Sequence, residues 1–172
     1  VSASPGVPSA HRSEAPSSIT VSVLTVSDTR SLDSDASGKL IQEKLEARGH
    51  RISERQIVKD EPDAIRREVL RTVARPDVDA LIVTGGTGVS SRDSTPEVVE
   101  PLLEKVLSGY GELFRMLSFE EIGAAAMLSR ALAGTAGRTA VFVTPGSSGA
   151  VRLAMERLIL PELTHLVGQL RK

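Results

Sequence analysis

The apolar positions along this chain change period several times, and each change predicts an element. Residues 20–27 (TVSVLTVS) are β-branched or apolar and carry no charge, which predicts a buried central strand. A polar loop, 28–34, follows. Asp35 is placed to cap a helix whose apolar stripe is Leu40, Ile41 and Leu45, with Gly49 at its C-terminal end. Residues 51–58 (RISERQIV) alternate, the pattern of a second and more exposed strand. The turn Asp60-Glu61-Pro62-Asp63 opens a helix with Ile65, Val69, Leu70 and Val73 on its buried face, and Pro76 ends it. Residues 79–84 (DALIVT) read as a buried strand. Thr95-Pro96-Glu97 opens a helix through Val98, Val99, Leu102 and Leu103, kinked at Pro101. Residues 109–127 form a helical region interrupted by glycines, and 138–144 (RTAVFVT) a further strand. A last helix or helix pair covers 150–170, broken at Pro161.

Strands alternating with helices predict a parallel sheet covered on both faces. In such sheets ligands sit beyond the carboxyl ends of strands, where loops lead into helices. The polar strand exits at Ser27-Asp28, 84–88 and 144–149 should therefore open on one edge and share one pocket.

The strongest chemical signal lies at one of those exits. Thr84-Gly85-Gly86-Thr87-Gly88 brings three glycines within four positions, so the backbone can turn tightly and approach a ligand. It is not a Walker A loop, because Val89-Ser90 stands where Lys-Ser/Thr is required, and it is not a dinucleotide fingerprint. Arg92 supplies a fixed charge suited to phosphate, or an ion pair with Asp93 or Glu97. Asp93 is either a hard oxygen ligand for a divalent cation or, like Ser94, a helix cap. Glu97 suits the first turn of a helix, where the dipole favours a carboxylate. Asp60 on its own reads as a turn residue, and Asp28 as a pocket residue or an Asx turn. Pro145-Gly146-Ser147-Ser148-Gly149 forms a second glycine loop, whose amides suit an anion and whose serines suit a cap.

Composition removes several alternatives. The chain has 172 residues and a 40% hydrophobic share, enough for one domain with a real core. A net charge of −1 and an aromatic content of 2% leave neither a basic field nor stacking platforms for nucleic acid. With no cysteine there is no disulfide, thiolate metal site or Cys nucleophile. His11, His50 and His165 have neither the spacing of a metal site nor a serine partner for hydrolysis. Residues 1–18, rich in Ser, Pro and Ala, are expected to be a disordered tail preceding a single domain over 19–172. No run is long enough to span a bilayer, so the expected location is cytoplasmic, with no membrane partner.

Taken in order, the segments from Ile19 to the end resemble the molybdenum cofactor biosynthesis family, which includes the molybdopterin adenylyltransferases and the MoaB proteins. The resemblance is carried by Val26-Ser27-Asp28-Thr29-Arg30 with Asp35-Ala36-Ser37-Gly38, and by Val58-Lys59-Asp60-Glu61-Pro62. It continues through Thr84-Gly85-Gly86-Thr87-Gly88 to Arg92-Asp93-Ser94-Thr95-Pro96-Glu97, then Gly109-Tyr110-Gly111-Glu112-Leu113-Phe114-Arg115, Leu128-Ser129-Arg130-Ala131 and Thr144-Pro145-Gly146-Ser147. The wording at Ser27-Asp28-Thr29-Arg30 is closer to the MoaB branch. Ser148-Gly149 departs from the many relatives that continue with Pro or Asn.

The resemblance implies a three-layer α/β/α domain with a mostly parallel sheet. It implies molybdopterin as ligand, and Mg²⁺ with ATP for transfer of AMP to its terminal phosphate and release of pyrophosphate. Asp60 and Asp93 match the family positions associated with catalysis or ligand handling and are expected to be catalytic and to hold the metal. Ser27, Asp28, Gly85, Gly86, Thr87, Gly88, Ser94, Glu97, Pro145, Gly146 and Ser147 would line the ligand site. A homotrimer or homohexamer and a downstream molybdenum insertase are the implied partners. The other activity compatible with the resemblance is a non-catalytic molybdopterin carrier.

Overall fold

A strand that is apolar at every position must be covered on both faces, and that requirement organises this molecule. The computed structural model describes residues 15–172. In chain order it contains β1 (Thr20–Val26), α1 (Ala36–Glu46), β2 (Arg51–Val58), α2 (Pro62–Val73), β3 (Ala80–Thr84), α3 (Thr95–Val99), β4 (Lys105–Val106), α4 (Ser108–Ile122), β5 (Leu132–Ala136), β6 (Thr139–Thr144), α5 (Ser148–Ala154) and α6 (Leu160–Leu170). Six strands form one sheet in the order β2-β1-β3-β6-β5-β4. The pairs β1–β2, β1–β3 and β3–β6 are parallel. β5 runs antiparallel to β6, and β4 antiparallel to β5.

Alternation along the central strands divides the core between two faces. Val21, Val23, Ala80, Ile82, Ala140 and Phe142 point to one side, where Ile41 and Leu45 of α1, Phe114 of α4 and Val151, Leu163 and Val167 of the last helices cover them. Leu24, Val26, Leu81, Val83, Val141 and Val143 point to the other, against Ile65 and Val69 of α2 and Val99 of α3. The result is the expected three-layer arrangement with a mostly parallel sheet.

Several details differ from the sequence expectation. Leu70 is 42% exposed, and Thr72 takes its place on the buried face of α2. Pro101 does not kink a long helix. α3 ends at Val99, and Glu100–Leu102 is a single 3₁₀ turn, because proline cannot extend the hydrogen-bond ladder. Pro161 does not break the last helix either. The chain stays helical through a π segment, Met155–Ile159, and α6 begins at Leu160 with Pro161 in its first turn. Widening the helix just before proline accommodates the missing donor and the bulk of the ring. β4 and β5 had no sequence signal. Lys105–Val106 is only two residues long, and LAGTA lacks branched alternation.

At the other end, Ser18 Oγ donates to Gly49 O at 2.7 Å, and Ala15 and Pro16 lie against Gly168, so the fold engages the chain before Ile19. The remainder of the expected tail, residues 1–14, lies outside the described residues. Among the described residues no helix is long and apolar enough to cross a membrane.

His50, at the α1–β2 junction, is buried and its Nδ1 has no hydrogen-bond partner among the described residues. Burial, and then the charge of Arg48, pushes its pKa below the ordinary 6.5. The folded state resists the proton that the unfolded chain accepts. His50 therefore costs no stability above the unfolded value and progressively more as pH falls from there toward the depressed folded pKa. Thermal unfolding of His50→Gln, followed by circular dichroism from about pH 7 to about pH 5, is expected to show a shallower loss of midpoint than the parent. Identical slopes would exclude this contribution.

Candidate functional site

Parallel pairing aligns Thr25 with Thr84 and Thr84 with Thr144. Three strands therefore end at one level, and their exit loops touch. Gly85 N donates to Thr144 O at 3.2 Å, Thr84 Oγ1 to Pro145 O at 3.2 Å, and Ser37 Oγ at the start of α1 to Gly146 O at 2.7 Å. The loop after β3 needs glycine for a steric reason. Gly85 (φ 96°) and Gly86 (φ 63°) both adopt the left-handed region. A side chain on Gly85 would run into the Val26 carbonyl. One on Gly86 would strike the Thr95 hydroxyl and come within 2.7 Å of Asp60 Oδ2.

A cavity of about 450 Å³ opens over these loops. Gly85, Gly86, Thr87, Gly88 and Asp93 form one wall, and Pro145, Gly146, Ser147 and Gly149 another. Its floor is apolar: Phe114 and Leu153, with Ile122, Ala125 and Leu128 from the end of α4 and the 3₁₀ segment after it. Ser118, Glu121 and Ser129 add polar atoms. A smaller, more polar cavity of about 240 Å³ adjoins it across Gly85, Gly146 and Ser147, and includes Ser27, Arg30 and Ser37.

The carboxylates around these cavities are tied down. Asp93 Oδ2 accepts from Ser90 Oγ at 2.6 Å and Ser90 N at 3.0 Å. The Ser90 hydroxyl, then the Ser90 and Gly88 amides and Arg130, hold the Asp93 carboxyl below the ordinary carboxylate range. Asp60 is buried, and its Oδ1 accepts from Ser94 Oγ at 2.9 Å and Ser94 N at 3.3 Å, leaving Oδ2 toward Gly86. Asp28 accepts from the Asp60 amide at 3.1 Å and, through Oδ2, from both Nε and Nη2 of Arg92. The Arg92 guanidinium lowers the Asp28 pKa. Arg92 thus pairs with Asp28, and not with Asp93 or Glu97.

Of the residues expected to line the ligand site, Gly85, Gly86, Thr87, Gly88, Asp93, Pro145, Gly146 and Ser147 line the larger cavity, and Ser27 the smaller one. Asp60 stands behind Gly86. Asp28 and Ser94 act one step back, as partners of Arg92 and Asp60. Glu97 is turned away into a separate groove, where it pairs with Arg130, because α3 begins after the loop has already passed the cavity. Neither Asp93 nor Ser94 caps α3 with its side chain. Ser147 does cap α5, accepting from Ala150 N at 3.2 Å, and Asp35 caps α1, accepting from Gly38 N at 2.9 Å.

The family described as "Probable molybdopterin binding domain" matches residues 22–165. Molybdenum cofactor biosynthesis protein B of Bacillus subtilis (strain 168) is 53% identical over 163 residues, covering 94% of this chain and 96% of the relative. A crystal structure of a molybdenum cofactor biosynthesis protein B superposes with a TM-score of 0.89 at 50% identity, covering 91% of this chain and 98% of that one. The tungsten cofactor synthesizing protein MoaB from Pyrococcus furiosus superposes with a TM-score of 0.81 at 35% identity, covering 92% and 100%. The chain belongs to the MoaB family of molybdenum cofactor biosynthesis proteins.

In this MoaB-family chain the sequence reading missed the apolar floor and Arg130. Phe114, Leu153 and Leu128 look like ordinary helix core, and only the sheet's topology brings them under the glycine loop. The loop itself makes a testable demand. Gly86→Ala is expected to destabilise the protein by about 1–3 kcal/mol, from left-handed strain and the clash with Thr95. Gly149→Ala is the control. Its added methyl meets open space at the start of α5 and should be neutral or slightly stabilising. Urea unfolding of both variants measures the difference, and equal stabilities would contradict the steric account.

Proposed function

We propose that this MoaB-family protein binds molybdopterin across the two joined cavities and adenylylates its terminal phosphate with Mg-ATP, releasing pyrophosphate. The observation that carries the reading is the convergence of the β1, β3 and β6 exits over an apolar floor, with Asp60 and Asp93 both against the same glycine loop. A flat pterin suits the floor, and phosphates suit a loop whose backbone can be approached closely.

In the step itself, an oxygen of the molybdopterin phosphate forms a bond to the α-phosphorus of ATP. The bond from that phosphorus to the bridging oxygen of pyrophosphate breaks. A phosphate monoester with a second pKa of about 6 is already largely a dianion near neutral pH, so no proton has to be removed. That suits the state of the carboxylates, which are engaged as hydrogen-bond acceptors and not free as bases. Their work is positioning and charge placement, which is most of what phosphoryl-type transfer requires.

Among the described residues no group of three or more His, Asp or Glu side chains forms a cage for a metal. Magnesium does not need one, since it is commonly held by one or two carboxylates together with substrate phosphates. The Asp60 and Asp93 carboxylates beside the loop fit that mode and would hold the ion, which when bound offsets phosphate charge.

Asp93→Ala and Asp60→Asn are each expected to lower AMP transfer by about a hundredfold or more, measured as pyrophosphate released from molybdopterin, Mg²⁺ and ATP. Tight molybdopterin binding without pyrophosphate release from the parent protein would support a carrier instead.

The same reading carries self-association. α4 and the segment after it leave Leu113, Met116, Phe119 and Met127, outside the cavity floor, between 47% and 78% exposed, apolar surface of the kind that oligomers cover. Light scattering is expected to give a trimer or hexamer, and a monomer at micromolar concentration would count against this assignment.

A further inference from the structure

Arg130 precedes β5 and makes three separate contacts, two with the glycine loop and one with α3. Its Nε donates to Thr87 O at 3.1 Å and its Nη2 to Asp93 O at 3.1 Å. Its Nη1 meets the Glu97 carboxylate at the start of α3. Thr87 and Asp93 are the two ends of the loop stretch that bears Gly88 and Ser90. One edge of a single guanidinium therefore ties the two ends together, and its remaining nitrogen anchors them to α3. The side chain is 29% exposed, and its neighbours Leu128 and Ser129 line the large cavity, so the same short segment supplies floor and strut.

Inside the loop, Asp93 closes a second ring by accepting from Ser90. The two restraints act on opposite ends of the same residue: Arg130 on its carbonyl, Ser90 on its carboxylate. Among the described residues no other hydrogen bond reaches the Thr87 and Asp93 carbonyls, while Thr95 N, donating to Gly86 O at 3.0 Å, closes the base of the loop just outside them, so losing Arg130 loosens the stretch between.

We propose that Arg130 is a positioning residue that holds the glycine loop, and with it the Asp93 carboxylate, in the shape that receives phosphate, with Glu97 as its counter-charge. The ligand half of this inference rests on the function proposed above, while the loop half does not. The planar fork is the essential property. A lysine ammonium carries the charge but cannot span two carbonyls and a carboxylate with fixed geometry. Glu97, expected from sequence to touch ligand, takes a different role here, orienting Arg130.

Two measurements on Arg130→Ala, Arg130→Lys and the control Arg115→Ala test this. Arg115 donates to Ala131 O in the neighbouring groove and does not touch the loop. Amide hydrogen exchange should rise about tenfold or more over 87–93 in Arg130→Ala, less in Arg130→Lys, and not in Arg115→Ala. Calorimetric titration with Mg-ATP should show affinity about tenfold weaker in Arg130→Ala, and partial rescue by millimolar methylguanidinium in that variant alone. Arg130→Lys, which keeps the charge, decides the case if Arg130→Ala does not fold. Unchanged loop exchange in a folded Arg130 variant overturns the strut. Faster exchange with unchanged ATP affinity overturns its role in binding. Should the parent protein bind neither ATP nor molybdopterin while exchange still responds to Arg130, the proposed function fails and the strut stands.

Discussion

Everything at the site depends on the in-line register of three parallel strands. Thr25, Thr84 and Thr144 sit side by side at the ends of β1, β3 and β6. A shift of one residue would turn each alternating side chain to the opposite face and exchange the two halves of the core. It would also carry the Gly85 amide away from the Thr144 carbonyl and the Val26 carbonyl away from Gly85. The register is fixed by burial on both faces, with Val21, Ala80, Ile82, Val83, Ala140 and Val141 fully inaccessible. The geometry of the loops is thus inherited from core packing well below them.

That inheritance explains what could be read from the sequence. Elements with a strong period, such as 20–27, α1 and β6, were legible because burial writes itself into the spacing of apolar residues. The glycine loop was legible because only glycine tolerates the backbone there, and Asp35 because a cap leaves a polar residue at a helix start. Illegible parts had no local signature. LAGTA pairs with β6 because tertiary contact covers its small side chains, not because its residues favour strands. Pro161 looked like a break, but a π turn upstream absorbs it. Neither the partner of Arg92 nor the role of Arg130 could be read along the chain. Arg92 lies 64 positions from Asp28, and Arg130 lies 43 from Thr87.

Glu97 illustrates the limit of motif reasoning. It stands four positions after Asp93, and proximity in sequence suggested a shared task. The chain enters α3 between them, and Asp93 faces the cavity while Glu97 faces the neighbouring groove. Resemblance to relatives raised Asp60 above an ordinary turn residue, and the fold sets its carboxylate behind Gly86. Burial there is tolerated because both Ser94 donors satisfy one oxygen.

The charge inventory of the large cavity bears on the proposed transfer. Its described lining contains Asp93 and Glu121 but no lysine or arginine, while the adjoining cavity adds one cation, Arg30, and one further carboxylate, Asp35. Two ligands carrying several phosphate charges would meet net repulsion from the side chains of such a wall. Main-chain amides of the two glycine loops can supply partial positive charge at close range, and this requires loops held open with their amides pointing inward. A divalent cation arriving with the nucleotide would supply the remainder, and two carboxylates beside the loop then help rather than hinder, since they favour the cation over the bare anion. Acidic residues at an anion site are a contradiction only if the anion arrives alone.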